Sequence, residues 1–268
     1  MKRAPLPLAI LSIMLCGCGG STTTVTPGSM TTVTPATAPS PELSGDAVAF
    51  ACEDVSLALN PALGSGITCE IVPEINDEWN GNPQYVRIEL EGYPVAGYWS
   101  PEISVYPVAE YSAMVDGVAG IVANLEALTS GVDPVLDGWR VLPFLFNFDQ
   151  GQFYYAQYEV IPFSDGIGIR YLTGFTQAMG TFGDPELYTY QAMTDDGRYW
   201  VSAVFLISHP LLPDNSWPPE GMTQQEFYDV YDAYVADNVD LLNAQPTDSF
   251  TPTIDALDAL VSSITITP

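Results

Sequence analysis

The residues able to do chemistry are few in kind. Four cysteines stand at 16, 18, 52 and 69, one histidine at 209, and 33 acids face 6 basic residues. Two cysteines, Cys52 and Cys69, with no histidine near them do not make a tetrahedral zinc centre. Ser-His-Asp catalysis needs His209 beside an activated serine, and no G-x-S-x-G elbow occurs. His209 sits in "ISHPLL" at a strand end and reads as a turn histidine bonded to backbone. There is no P-loop, and "GIGIRYLTG" follows a turn and carries strand residues, the wrong context for a phosphate site. Asp195-Asp196-Gly197 lacks the spaced oxygens of an EF-type calcium loop and reads as a tight turn. No catalytic residue, metal ligand or cofactor is therefore assigned. Paired carboxylates are the one catalytic device this composition supplies, although among 33 acids pairs also arise by chance. Arg170 stands apart as a cation inside an apolar strand. It either pairs with a buried acid or holds a ligand carboxylate bidentately, and it is the candidate ligand-binding residue.

The charge balance excludes whole classes of partner. A formal net charge of −27 repels phosphate backbones, so nucleic acid is not expected to bind. The same surface disfavours direct adhesion to anionic headgroups. It suits a soluble, self-repelling protein outside the cytoplasm.

Residues 1–17 predict a secretory leader: Lys2 and Arg3, an apolar segment from Leu6 to Leu15, then Cys16-Gly17-Cys18. About ten apolar residues are too few to span a bilayer as a helix. The end of the segment resembles a bacterial lipobox, with Leu15 at the aliphatic position, Gly17 at the small one and Cys18 as the modified residue. Cys16 does not fit, because Leu15 would occupy its small-residue slot. The resemblance implies cleavage before Cys18 and diacylglycerol attachment there, so the expected partner is a membrane reached through the lipid. Cys52 and Cys69 are left to pair as a disulfide in an oxidising compartment, contributing about 3 kcal/mol on the chain-entropy estimate.

The elements that must position any site follow from periodicity. Residues 18–45, rich in Thr, Pro and Ser, cannot pack a core and read as a tether. Residues 46–268 read as one globular domain. "AVAFACEDVSLAL" and "ITCEIVPE" flank the turn-rich "NPALGSG" and are expected to form a hairpin carrying a cysteine in each arm. "PQYVRIELEGY" alternates as a half-buried strand, and "EISVYPV" is another strand ended by Pro107. From Glu110 to Gly131 the apolar residues fall at helical spacing and predict a single amphipathic helix. Four runs rich in Tyr, Phe, Val and Ile between 152 and 208, joined in two pairs through Asp-Gly turns, predict a β-meander. Its many aromatic residues are expected to fill the core, although the 31 Phe, Trp and Tyr of the whole chain would also suit a sugar- or peptide-binding platform. Thr223 to Glu226 is a capping box opening a helix, and Pro252 begins a last helix buried through Ile254, Leu257, Val261 and Ile264.

The expected class is α+β: an antiparallel meander covered by helices on one or both faces. The order of elements resembles the Mog1p/PsbP-like α/β/α sandwich. The stretches "YWSPEISVYPVAEY", "QFYYAQYEVIPFSDGIGIRYLTGFTQ" and "YTYQAMTDDGRYWVSAVFLISHPLLP" resemble a family of uncharacterised bacterial secreted proteins and lipoproteins, over about Tyr93 to Ile264. That resemblance implies a location and no activity. The expected function is a lipid-anchored protein of the bacterial cell envelope that binds a ligand or partner outside the membrane. The alternative is a secreted hydrolase using carboxylates. A deep cleft with two converging carboxylates would mark the enzyme, and a shallow aromatic patch without titratable groups would mark the binder.

Overall fold

The computed structural model describes residues 46–76, 81–145, 150–213 and 216–267; the lipobox and the tether lie outside them. β1 (Val48–Cys52) and β2 (Val55–Leu59) form a hairpin by themselves, turning through Glu53 at φ 51°. β3 (Gly66–Val72) pairs instead with β4 (Tyr85–Glu91), which pairs with β5 (Glu102–Pro107). The hairpin expected across residues 60–65 is thus not formed; that segment carries the chain from a three-stranded sheet to a seven-stranded one. The physical reason lies inside the first run. Glu53-Asp54 interrupts its apolar residues, and each half is long enough to pair with the other. The Cys52–Cys69 disulfide is present, with Cα atoms 5.5 Å apart, and it ties the two sheets together.

The single helix expected over 110–131 is two. α1 (Val108–Met114) and α2 (Val118–Thr129) are separated by an extended Val115 and by Gly117 at φ 97°. A Cβ at Gly117 would meet nothing, so backbone conformation and not space demands glycine there. The apolar stripe survives the break: Tyr111, Val118, Leu125 and Leu128 are all buried.

The meander forms as its pattern predicts. β6 (Gly151–Phe163), β7 (Gly166–Thr176), β8 (Glu186–Thr194) and β9 (Tyr199–Ile207) pair antiparallel in sequence, and β9 then joins β5. The seven-stranded order is β3-β4-β5-β9-β8-β7-β6. α3 (Gln224–Asn243) opens on the Thr223–Glu226 capping box, and α4 (Ile254–Ser262) is capped by the Thr253 hydroxyl. A two-residue strand, β10 (Thr265–Ile266), returns to β2 and completes the small sheet.

The large sheet is covered on both faces. Leu172, Tyr188, Tyr190, Ala203 and Phe205 pack toward α4 and the small sheet, in one core with Leu257, Leu260 and Leu57. Ile169, Tyr171 and Trp200 project from the opposite face onto Tyr111, Leu125 and Leu128 of α1 and α2. The period-2 alternation of β7, β8 and β9 feeds two different cores, which is why these strands read as almost continuously apolar. The architecture is α+β, with antiparallel sheets packed by helices.

Candidate functional site

Arg170, on β7, is almost wholly enclosed, its side chain 2% exposed. Its Nη2 donates to Glu159 Oε2 at 2.5 Å and to Asp258 Oδ2 at 3.2 Å, and its Nη1 donates to the Gln157 carbonyl. Tyr188 donates its hydroxyl proton to the other Asp258 oxygen at 2.8 Å. Gln157 sits in a bulge of β6 at φ 53°, and its side-chain amide donates to the carbonyls of Leu242 and Gln245 at the end of α3. Burial pushes the Asp258 carboxyl up to about 6, against the pull of Arg170. This cluster joins β6, β7, α3 and α4, and the Arg170 Nη groups are engaged by protein acceptors. Arg170 lines neither of the cavities described below.

His209 stands where the sequence places it, at the end of β9. Its Nδ1 accepts from the Leu211 amide at 3.2 Å, its Nε2 lies 3.1 Å from the Ser249 hydroxyl, and its ring packs on Phe250. Desolvation lowers its affinity for a second proton. It is a structural turn residue.

A recess of about 290 Å³ lies between the two tight turns of the meander, lined by Asp165, Asp195, Asp196 and Arg198 among others. Asp165 Oδ2 accepts from the Ile266 amide, and Asp196 accepts from Thr194 and Arg198. These acids close turns and hold β10.

The site with chemical content is elsewhere. The β7–β8 connection, residues 177–185, is long where the other two meander connections are tight. With the end of β7 it encloses a cavity of about 170 Å³. Glu186, the first residue of β8 and only 7% exposed, lines it. Tyr98, Phe153, Phe175 and Trp217 supply aromatic walls, and Gly174, Gly180 and Gly183 supply backbone. Glycine is required for the fit: a Cβ at Gly174 or Gly180 would lie 2.5 or 2.6 Å from the Phe153 ring. Tyr98 and Trp217 are 75% and 47% exposed, so two large rings stand open to solvent beside the pocket.

The carboxyl is held in an unusual state. Glu186 Oε1 accepts from the Gly183 amide at 2.8 Å. Burial nevertheless dominates and pushes the carboxyl up to about 8, so it carries a proton at neutral pH. The neighbouring Tyr154 hydroxyl is close enough to affect that titration, yet it meets hydrogen-bond geometry with no group among the described residues. Around this pair the loop is pinned by α3. The hydroxyls of Tyr231 and Tyr234 each accept from a loop amide, Gly180 and Phe182 respectively, at 3.0 Å. Trp217 Nε1 donates to the Met179 carbonyl at 3.0 Å, fixing the indole at the rim.

None of these residues was singled out by their types. A signal does exist: Glu186 is in phase with Tyr188, Tyr190 and Ala192 on β8, so period 2 aims an acid at the core. Among 33 acids that phase is informative only once the strand boundaries are known. Of the two geometries expected for enzyme and binder, the pocket matches neither outright. It is small and aromatic, and Glu186 is the one acid among its described lining residues. Compared with models of known protein families and with curated proteins, the chain matches none.

Proposed function

We propose that this chain is an extracytoplasmic ligand-binding protein, held to a bacterial envelope membrane by lipid on Cys18, whose ligand seat is the Glu186 pocket. The observation that carries the reading is a buried carboxyl placed among aromatic rings at an opening of the fold. A few convergent polar groups in an aromatic recess are the usual make-up of a small-molecule site. The volume, about 170 Å³, lies below the range of drug-sized pockets, so the ligand is small or enters by one end. Glycoside-type hydrolysis uses two carboxyls, one on each side of the bond, and a single acid favours binding over turnover.

The location is supported by the Cys52–Cys69 disulfide, which suits an oxidising compartment. Among the described residues no helix is long and apolar enough to cross a membrane, and a lipid supplies the attachment instead. Two acyl chains of a diacylglycerol retain a protein stably where one does not.

Two measurements test the proposal. Mass spectrometry of the mature N-terminus is expected to find an acylated Cys18; an unmodified Cys18, or cleavage beyond it, refutes the anchor. A thermal-shift screen of small polar metabolites on the tether-free domain is expected to find stabilisers whose effect is lost in Trp217→Ala. Catalytic turnover abolished by Glu186→Gln would replace the binding reading with the hydrolase.

A further inference from the structure

We infer that the ligand of this pocket is a small organic ammonium ion, seated on the Glu186 carboxylate among the rings of Tyr98, Phe153 and Trp217. The inference rests on the ligand-pocket reading above and names the chemistry of the ligand.

Charge complementarity is the first reason. No basic residue is among the described residues lining the pocket, so an anion there would find no countercharge. Elsewhere Arg87, Arg170 and Arg198 are each already engaged with acids. An ammonium ion meets one carboxyl and the rings of Tyr98, Phe153 and Trp217, the combination that recognises organic cations through the negative ring faces. Size agrees: about 170 Å³ holds a cationic head with a short alkyl stem and little more. The whole molecule reinforces this, because a net charge of −27 concentrates cations near its surface and speeds their arrival.

The buried groups supply the second reason. Among the described residues no cationic side chain stands beside Glu186. The Gly183 amide already donates to Oε1, an interaction that favours the carboxylate, while burial favours the acid. A cation entering the pocket resolves the conflict by supplying the missing countercharge. Glu186-COOH then becomes Glu186-COO⁻, the cation takes its place beside the carboxylate, and one proton leaves to solvent. The groups facing Glu186 are Tyr154 from β6, Tyr98 from the segment before β5, Tyr234 from α3 and Asp184 from the connecting loop. Burial raises all three tyrosines above their ordinary value, so they stay protonated while Glu186 exchanges its proton.

The test is isothermal titration calorimetry on the disulfide-intact domain. Butylammonium and tetramethylammonium are the cationic probes, and glucose and butyrate are the neutral and anionic contrasts. Repeating the titration in two buffers of different ionisation heat counts the protons released. The expected result is binding of a cationic probe with release approaching one proton at pH 7, and affinity rising about tenfold per pH unit until it levels near pH 8. Glu186→Gln is expected to remove both the proton release and the pH dependence, and Asp165→Asn, in the other recess, to retain them. A lysine-containing peptide binding more tightly than butylammonium would place the ammonium group on a protein partner; equal or weaker binding would place it on a free amine. Glucose or butyrate binding in place of the cations overturns the inference and leaves the pocket reading standing. Cation binding that Glu186→Gln does not alter overturns it too, as does silence of both cations; the pocket reading itself falls only if the Trp217-dependent screen also fails.

Discussion

Arg170 and Glu186 are the two buried charges-in-waiting of this protein, and their surroundings give them opposite roles. Arg170 reaches two carboxylates and a carbonyl, so its charge is met inside the protein. Removing it strands Asp258 and the Gln157 carbonyl. Arg170→Ala is expected to lower stability by about 3–5 kcal/mol, the usual cost of leaving half of a buried pair, and adding Asp258→Asn should restore part of it. Urea denaturation of the single and double variants checks this. A loss under about 1 kcal/mol for Arg170→Ala would show that the cluster is not a structural tie. Glu186 accepts from the Gly183 amide and has, among the described residues, no cation beside it, and burial pushes its carboxyl toward the protonated form. The same residue type becomes a tie in one place and a site in another, depending on what the neighbouring strands bring to it.

At the scale of elements, the β7–β8 connection and α3 form a working pair. Tyr231 and Tyr234 stand three apart on α3, one turn of the same face, and their hydroxyls capture successive parts of the loop. Phe182, fully buried beneath, packs tilted against Tyr154 at 4.3 Å between ring centroids and edge-on to Tyr234 at 5.8 Å. The loop is thus held from outside by hydroxyls and from inside by a ring. Replacing both tyrosines by phenylalanine removes two acceptors and keeps the packing. Hydrogen exchange at the Gly180 and Phe182 amides is expected to quicken by about fivefold, corresponding to roughly 1 kcal/mol per hydrogen bond, while the β8–β9 amides stay as protected as before. Uniform acceleration across the sheet would mean that α3 stabilises the whole fold and not this loop. The disulfide works on a different pair, fastening β1 of the small sheet to β3 of the large one across 17 residues of chain.

For the whole molecule, the buried acids set the pH dependence. Glu186 rises from 4.5 to about 8 and Asp258 from 3.8 to about 6. Between those limits the folded protein binds protons that the unfolded chain has released, so stability is fully present at low pH and falls as pH rises through each window. Each group contributes a slope of about 1.4 kcal/mol per pH unit inside its window. His209 acts the other way, because its folded form resists protonation and loses stability as pH drops below its ordinary value of 6.5. Self-repulsion among ionised acids adds to the fall at high pH. The expected outcome is a urea midpoint higher at pH 5 than at pH 8, with a shallower decline in Glu186→Gln. A midpoint that climbs toward pH 8, or an unchanged slope in the variant, would contradict the buried, protonated state of Glu186.

The sequence by itself determined what depends on local chemistry. Two Asp-Gly turns and alternating aromatic runs specify the meander, Thr223 and Glu226 specify the start of α3, and Cys52 and Cys69 specify a bridge. Tertiary structure decided the rest. Glu53-Asp54 turned one expected arm into a hairpin by interrupting its apolar run, and Gly117 cut one expected helix into two because its left-handed backbone outweighed the helical spacing around it. Arg170 was legible as an anomaly, but its partners come from a bulge in β6 and from α4, 88 residues away in the case of Asp258. The pocket was not legible at all. Its residues lie between 98 and 217 in the chain, and what makes Glu186 special is the loss of water around it, a property that exists only once those distant segments have closed together.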